Sequence, residues 1–171
     1  MQVVKKGFIV FIVIWIAIVV LMPKKEFYYK LEEELVKHEI KLNESKVSEG
    51  LFSLGLEKVT VYFKGIKVAT IEEMNFFTVL FYSRMELQSL HVDDSLKTMV
   101  PQETQKAVIT HSVFSPLGVF VEASGSFGAM AGAIDLSDRK VRLDFNESKN
   151  IEMLRSRLKK DEKGWVYETS F

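Results

Sequence analysis

Residues 55–71 read GLEKVTVYFKGIKVATI, and this stretch decides the fold class. Apolar and polar residues alternate on both sides of Lys64-Gly65, which is the period of a β-strand with one buried face. Lys64-Gly65 is a hairpin signal, because glycine readily takes the positive φ that a two-residue turn needs. The stretch therefore predicts two antiparallel strands joined by a tight turn.

Similar alternation continues to the end of the chain. It recurs, with short turns between the segments, over residues 40–42, 85–92, 107–111, 117–123, 141–145 and 165–171. Residues 74–82 are nearly all apolar, which predicts a strand buried on both faces, and residues 125–134 form a strand rich in small residues. Because no helix separates successive strands, we predict a mainly β (α+β) fold, with a curved, mostly antiparallel sheet of about eight strands.

Two segments have helical periodicity instead. Residues 26–38 place apolar side chains four positions apart, with glutamates on the opposite face. Residues 148–160 place Ile151, Leu154 and Leu158 on one face. The sequence therefore predicts a short helix before the sheet and a C-terminal helix near its end.

The N-terminal segment predicts a membrane anchor. Residues 8–22 are uninterruptedly apolar, with Lys5 and Lys6 before them and Lys24 and Lys25 after them. The run ends in bulky residues, which argues against a cleaved signal peptide. We therefore predict a cytoplasmic head over residues 1–7, a transmembrane anchor over 8–23 and a single periplasmic β-rich domain over 24–171. The expected location is a bacterial inner membrane, crossed once.

Composition excludes several function classes. The 171 residues contain 23 basic and 23 acidic side chains, so no excess of positive charge points to nucleic acid as a partner. The chain contains no cysteine, which excludes disulfides, thiolate metal sites and a cysteine nucleophile.

The polar residues most suited to chemistry also have structural interpretations. His38, His91 and His111 lie in three different elements, without the spacing of a metal site or a recognisable triad. Asp93-Asp94 suits a hard cation, but an aspartate in front of a helical turn more often caps that turn. We therefore predict no catalytic, cofactor-binding or metal-binding residue.

Two further clusters have a structural and a functional interpretation. The glycines of residues 125–132 do not have the spacing of a phosphate-binding loop, so we expect them to relieve crowding, with a groove for an acyl chain as the alternative. Arg155, Arg157, Lys159 and Lys160 form a basic cluster on the predicted last helix. A solvated helix end is the expected interpretation of that cluster, and contact with anionic lipid is the alternative.

The order of these elements resembles a known class of bacterial envelope proteins. The phrases LEEEL (31–35), HEIKL (38–42), GLEKVTVYFKG (55–65), GSFG (125–128), GAIDL (132–136) and VRLDF (141–145) carry the resemblance. They look like the N component of type II secretion systems and the wider AsmA-like proteins, in which a helix leads into a curved β-layer.

The resemblance implies a non-enzymatic component of a secretion or envelope assembly, anchored in the inner membrane. Such a component would act as a scaffold that docks protein subunits. The residues themselves predict no cofactor and no nucleic acid as a partner. The alternative function is a lipid-handling or lipid-transport module with an apolar groove between curved sheet faces. In that case residues 74–82 would face a cavity.

Overall fold

The computed structural model describes residues 2–21, 23–79, 81–96, 99–148, 151–161 and 164–171. Two N-terminal helices, α1 (Gln2–Leu21) and α2 (Lys24–Lys37), precede the strands. The strands are β1 (Ile40–Asn43), β2 (Lys46–Glu49), β3 (Ser53–Phe63), β4 (Ile66–Val79), β5 (Tyr82–Val92), β6 (Glu103–Ser112), β7 (Ser115–Gly125), β8 (Gly128–Asp135), β9 (Lys140–Ser148), β10 (Lys159–Asp161) and β11 (Gly164–Ser170). Short 3-10 helices cover Asp94–Leu96 and Glu152–Arg157.

In the described part of the chain, these strands form one sheet of eleven strands. Strands β3 to β9 pair in chain order, each antiparallel to the next, and β11 and β10 follow β9. Strands β1 and β2 both pair with β3. The antiparallel arrangement is as predicted, but the count of about eight strands is wrong. The difference includes β2 and β10, which have only four and three residues and are too short to show a clear alternation.

The hairpin that decides the fold forms as predicted. Phe63 pairs with Ile66, and the two turn residues have positive φ, 53° at Lys64 and 78° at Gly65. Strand β3 also contains an irregularity at Lys58, where φ is 52°. Because of it, Leu56 and Val59 are three positions apart and both are buried. The buried face of β3 therefore continues past Lys58, although strict alternation of side chains would turn Val59 to the opposite face.

The register of the sheet places apolar residues in continuous rows on one face, which we call the apolar face. Each residue of a row is the direct partner of the next across the adjacent strands. One row consists of Leu56, Met74, Leu87, Ala107, Ala123, Met130, Phe145 and Trp165. The next consists of Leu54, Phe76, Met85, Ile109, Val121, Gly132, Leu143 and Tyr167.

Two separate hydrophobic clusters cover this face near its two ends. At one end, Tyr28 of α2 packs against Leu54, Leu56 and Met74. At the other end, Ile151 and Leu158 pack against a cluster that includes Ala123 and Phe145. Helical segments therefore cover the apolar face at both ends of the row of strands.

Strand β4 corrects the prediction that residues 74–82 are buried on both faces. Met74 is buried, but Asn75 and Phe77 are exposed. The reason is that an antiparallel sheet needs cover on one face only, and aromatic residues on the open face do not alter the pairing. Leu80 lies outside the described residues.

The predicted C-terminal helix over residues 148–160 is wrong. A 3-10 helix covers Glu152–Arg157, and strand β10 follows it from Lys159. Ile151 and Leu158 are both buried against the sheet, so the helical spacing reflects a shared buried side without a regular α-helix. Residues 149 and 150 lie outside the described part.

The predicted membrane anchor is also corrected. Over the residues that the structure describes, no helix is long and apolar enough to cross a membrane. The uncharged part of α1, residues 7–21, has about 15 residues and a length of ~22 Å, against ~17–25 residues for a usual span. Met22 of the predicted anchor lies outside the described residues, and Pro23 is not helical. The anchor over 8–23, the cytoplasmic head over 1–7 and the inner-membrane location with residues 24–171 in the periplasm are therefore not supported.

Candidate functional site

The three histidines are not brought together. His38 follows α2, whereas His91 and His111 lie near opposite ends of the paired strands β5 and β6. Along those strands the two residues are about 25 Å apart at ~3.3 Å per residue. The Nε2 atom of His111 lies 3.2 Å from the carbonyl oxygen of Pro116, which is a contact within its own hairpin. The histidines therefore share no site.

Asp93 caps the short 3-10 helix, in agreement with the structural interpretation of Asp93-Asp94. Its Oδ1 accepts a hydrogen bond of 3.1 Å from the backbone N–H of Ser95. This bond and a second one from the Ser95 side chain hold the pKa of Asp93 below its usual value. Asp94 accepts a hydrogen bond of 3.1 Å from the Gln102 amide.

A polar cavity of about 380 Å³ lies beside these carboxylates. Its walls include Lys67, His91, Asp93 and Glu103. Among the residues that the structure describes, no group of three or more histidine, aspartate or glutamate side chains is arranged to hold a metal ion. The cavity therefore places mixed charges side by side without forming a metal centre.

Gly125 and Gly132, two of the glycines of residues 125–132, relieve crowding, as the sequence predicts. A Cβ atom at Gly125 would overlap the carbonyl oxygen of Glu103, and one at Gly132 would overlap the carbonyl oxygen of Arg142. These contacts are with the backbone of neighbouring strands, so a small rotation of a side chain does not remove them. Glycine at these two positions therefore permits the observed close approach of the strands.

The predicted basic cluster is dispersed. The Arg155 guanidinium lies over the ring of Trp165, with 5.7 Å between its Cζ and the ring centroid. The ammonium of Lys159, in β10, lies 3.7 Å from a carboxylate oxygen of Glu168. Because the segment is not an α-helix, these basic residues do not share a helical face.

The opposite face of the sheet, the polar face, carries a network of charges around Glu86. The Glu86 carboxylate accepts hydrogen bonds from Lys106 at 2.7 Å and from Arg84 at 2.8 Å. The hydrogen bond from Lys106 is the main reason why the pKa of Glu86 lies below its usual value, and Arg84 lowers the pKa further. The network therefore joins β5 and β6 on this face.

We expect Glu86→Gln to remove a pH-dependent part of the stability. Because the folded-state pKa is lowered, the ionised carboxylate stabilises the fold above its usual pKa of 4.5, and this contribution is lost as pH falls through the lowered pKa. At pH 7 the variant is expected to be about 0.5–1 kcal/mol less stable than the parent chain.

Urea unfolding at several pH values between about 3 and 7, a range that includes the usual carboxylate pKa, measures this difference in stability. Glu57→Gln is the matched control, because Glu57 pairs with Lys46 at a more exposed site. A difference for Glu86→Gln that stays constant over the whole pH range would contradict the role of the charge.

A group of apolar side chains on the apolar face belongs to neither hydrophobic cluster, and we call it the central patch. It lies on the adjacent strands β6 to β9, and its side chains are partly exposed. Its members are Ile109, Val119, Val121, Ile134 and Val141, which direct strand pairing places side by side. The sequence alternation places each of them on one side of its strand, but it does not reveal that they form one surface.

The edges of the sheet are short. On one side β1 and β2, of four residues each, lie along β3, and on the other side β10 pairs with Gly164–Val166 of β11. Short edge strands limit the addition of a further strand from another chain. The face of the sheet is therefore a better docking surface than its edges.

Comparisons of the chain with protein-family models, with curated proteins and with solved structures find no match. The resemblance to the N component of type II secretion systems and to AsmA-like proteins is therefore untested and stays a prediction.

Proposed function

We propose that this chain is a non-enzymatic scaffold that docks an amphipathic helix of a protein partner on the central patch. The observation that carries the proposal is the continuity of the apolar face. The row that contains Ile109 and Val121 of the central patch runs between a cluster closed by α2 and a cluster closed by Ile151 and Leu158. The central patch is apolar, as the covered ends are, and it is partly exposed.

The dimensions of the central patch fit one helix. Strands β6 to β9 are separated by three strand spacings, which amount to about 14 Å at ~4.8 Å each. A helix with its side chains is ~10–12 Å wide. On the same face, α2 buries Tyr28 and leaves its polar residues outside, so the chain already binds one helix in this way.

Two observations support a binding role in preference to an enzymatic one. The carboxylates of Asp93 and Glu86 accept hydrogen bonds from neighbouring groups, which accounts for their lowered pKa values. His91 and His111 are separated by most of the length of a strand. These polar residues therefore have structural roles and do not converge on one reaction centre.

Site-specific photocrosslinking in the source cells tests the proposal. A photoreactive benzoyl-phenylalanine replaces Val121, on the central patch, or Phe120, its neighbour on the polar face of the same strand. Because consecutive strand residues point to opposite faces, the two positions differ in the face that they report. We expect a discrete crosslinked protein from position 121 and none from position 120.

Circular dichroism of the two purified proteins provides the check that both remain folded. Three results would each contradict the docking of a partner on the central patch. They are equal crosslinking at the two positions, crosslinks only between copies of this chain, and no crosslink at position 121.

A second candidate function, lipid handling, is favoured by one cavity. About 310 Å³ of space lies over the small side chains of Ala129 and Ala131 on the polar face, between Lys106 and Glu122. Small residues leave room for an acyl chain, and the charges suit a head group. One observation counts against this function. Met74, which belongs to the segment predicted to face a cavity, is instead packed in the cluster of Tyr28 of α2.

Native mass spectrometry of gently extracted protein would detect a bound lipid, and the absence of lipid would count against this candidate.

A further inference from the structure

Three turns of the sheet lie at the same end of the strands, which we call the hairpin end. Pairing of Tyr82 with Ser112 and of Gly118 with Asp135 brings the β4–β5, β6–β7 and β8–β9 turns together. The last residue of β11, Ser170, pairs with Lys140 at the same end. The hairpin end carries the exposed apolar residues Phe81, Val113, Phe114, Leu136 and Phe171.

Phe114 is the most prominent of these residues. Its side chain is 86% exposed at the tip of the β6–β7 turn, and its neighbour Val113 is also exposed. Val113 and Phe114 lie in the turn beyond the ends of β6 and β7, so they do not belong to the apolar face that carries the central patch. Large apolar side chains at the ends of several turns form a surface whose exposure to water is unfavourable.

Helix α1 is joined to this surface by a line of aromatic rings. Ring centroids are 6.3 Å apart for Phe11 and Trp15, 6.2 Å for Trp15 and Phe81, and 6.0 Å for Phe81 and Phe114. Phe11 and Trp15 of α1 therefore form one continuous apolar surface with Phe81 and Phe114 of the hairpin end.

The distribution of exposed side chains on α1 indicates what covers this surface. Val13, Ile14, Trp15 and Ile16 are consecutive residues, so they point in directions about 100° apart around the helix. All of them are exposed. A protein groove covers one stripe of a helix, whereas a lipid phase contacts it on several sides. The absence of charged residues between Phe8 and Leu21 agrees with an apolar environment on all sides.

Basic residues are close in the chain to both parts of the apolar surface. Lys24 and Lys25 follow α1, and Arg139 and Lys140 lie in the β8–β9 turn region. Their aliphatic stems can lie along apolar surface while their charged ends reach phosphate groups. Aromatic residues next to basic ones are typical of the boundary between acyl chains and head groups.

We infer that the hairpin end, together with the exposed aromatic residues of α1, binds a lipid surface. Phe81 and Phe114 lie at the boundary between head groups and acyl chains, and the sheet extends away from the lipid. The opposite end of the strands, with Lys64, Asp93 and Asp94, faces water. The central patch, being on the face of the sheet, stays accessible to a partner.

The absence of cysteine from the chain permits a position-specific test. An environment-sensitive fluorophore is attached to a single cysteine in Phe114→Cys, at the hairpin end, or in Ile66→Cys. Ile66, the exposed first residue of β4, lies at the opposite end of the strands and serves as the matched control. The intact chain is mixed with vesicles of phosphatidylcholine and phosphatidylglycerol, some of which carry a quencher on the acyl chain.

We expect a blue shift and quenching at position 114 and neither effect at position 66. Phe114→Asp is expected to lower the partition coefficient of the chain into vesicles about tenfold, because transfer of one large apolar side chain is lost. Ile66→Asp is expected to leave the partition coefficient unchanged.

Three results would overturn the inference. One is vesicle binding with the same fluorescence response at both positions, because α1 would then bind without the hairpin end. A second is no binding to vesicles. The third is a blue shift at position 114 that needs no vesicles and grows with protein concentration, which would assign the surface to a second copy of the chain.

Discussion

Gly132→Ala is expected to destabilise the sheet by about 3 kcal/mol, because strand β8 has no room for a methyl group at this position. A Cβ there would overlap the carbonyl oxygen of Arg142 and lie 2.7 Å from Cδ2 and 2.8 Å from Cα of Leu143. Because backbone atoms are involved, strands β8 and β9 must separate or shift to relieve the overlap. The same strands carry Ile134 and Val141, so the variant is also expected to distort the central patch.

Urea unfolding of the variant and of Gly118→Ala measures this effect. Gly118 is a strand glycine in β7 at which a Cβ would make an ordinary contact, 3.6 Å from the Cβ of Ser115. We expect the control to change the free energy of unfolding by less than about 1 kcal/mol. Equal stability of the two variants would show that the close approach at Gly132 is not maintained.

Tyr28→Ala is expected to cost about 3–5 kcal/mol, because Tyr28 is the residue by which α2 is buried against the sheet. Its side chain is 3% exposed and packs against Leu54 and Leu56. Its hydroxyl donates a hydrogen bond of 2.9 Å to the Glu44 carboxylate. Burial, together with that carboxylate, raises the pKa of Tyr28, so the hydroxyl remains a donor over the neutral pH range.

Two further variants separate packing from hydrogen bonding at this site. Tyr28→Phe retains the ring and removes the hydroxyl, and it is expected to cost about 1–2 kcal/mol, since the Glu44 carboxylate loses its donor. Tyr29→Ala is the control, because Tyr29 is the adjacent residue of α2 and is half exposed. Hydrogen exchange of the α2 amides is expected to rise only in Tyr28→Ala. A cost for Tyr29→Ala as large as that for Tyr28→Ala would contradict the role of Tyr28 as the anchor.

The features that the sequence predicts correctly depend on neighbours in the chain. Lys64-Gly65 forms its turn because the required positive φ is a property of those residues. Asp93 caps the following turn because its acceptor lies two residues from the N–H of Ser95. The antiparallel pairing follows from short turns between alternating segments, which leave successive strands no other geometry.

The features that the sequence misses depend on contacts between distant residues. Ile151, Leu154 and Leu158 have helical spacing, but the segment is short and Leu158 is buried where β10 begins to pair with β11. In residues 74–79 the apolar composition predicts burial on both sides, whereas cover by α2 exists on one face only. The apolar run near the N-terminus predicts an anchor, but the uncharged helical part is shorter than a usual span.

The sequence by itself therefore determines a chain of antiparallel strands, because side-chain alternation and turn residues act over a few positions. Only the tertiary structure decides which side chains form a surface. Ile109 and Val121 become neighbours through strand register, as do Ile134 and Val141. Phe81 and Phe114 become neighbours because two turns lie at one end of the sheet. Register and strand order are set by pairing across the sheet, and that pairing joins residues too distant in the chain for a local pattern to relate them.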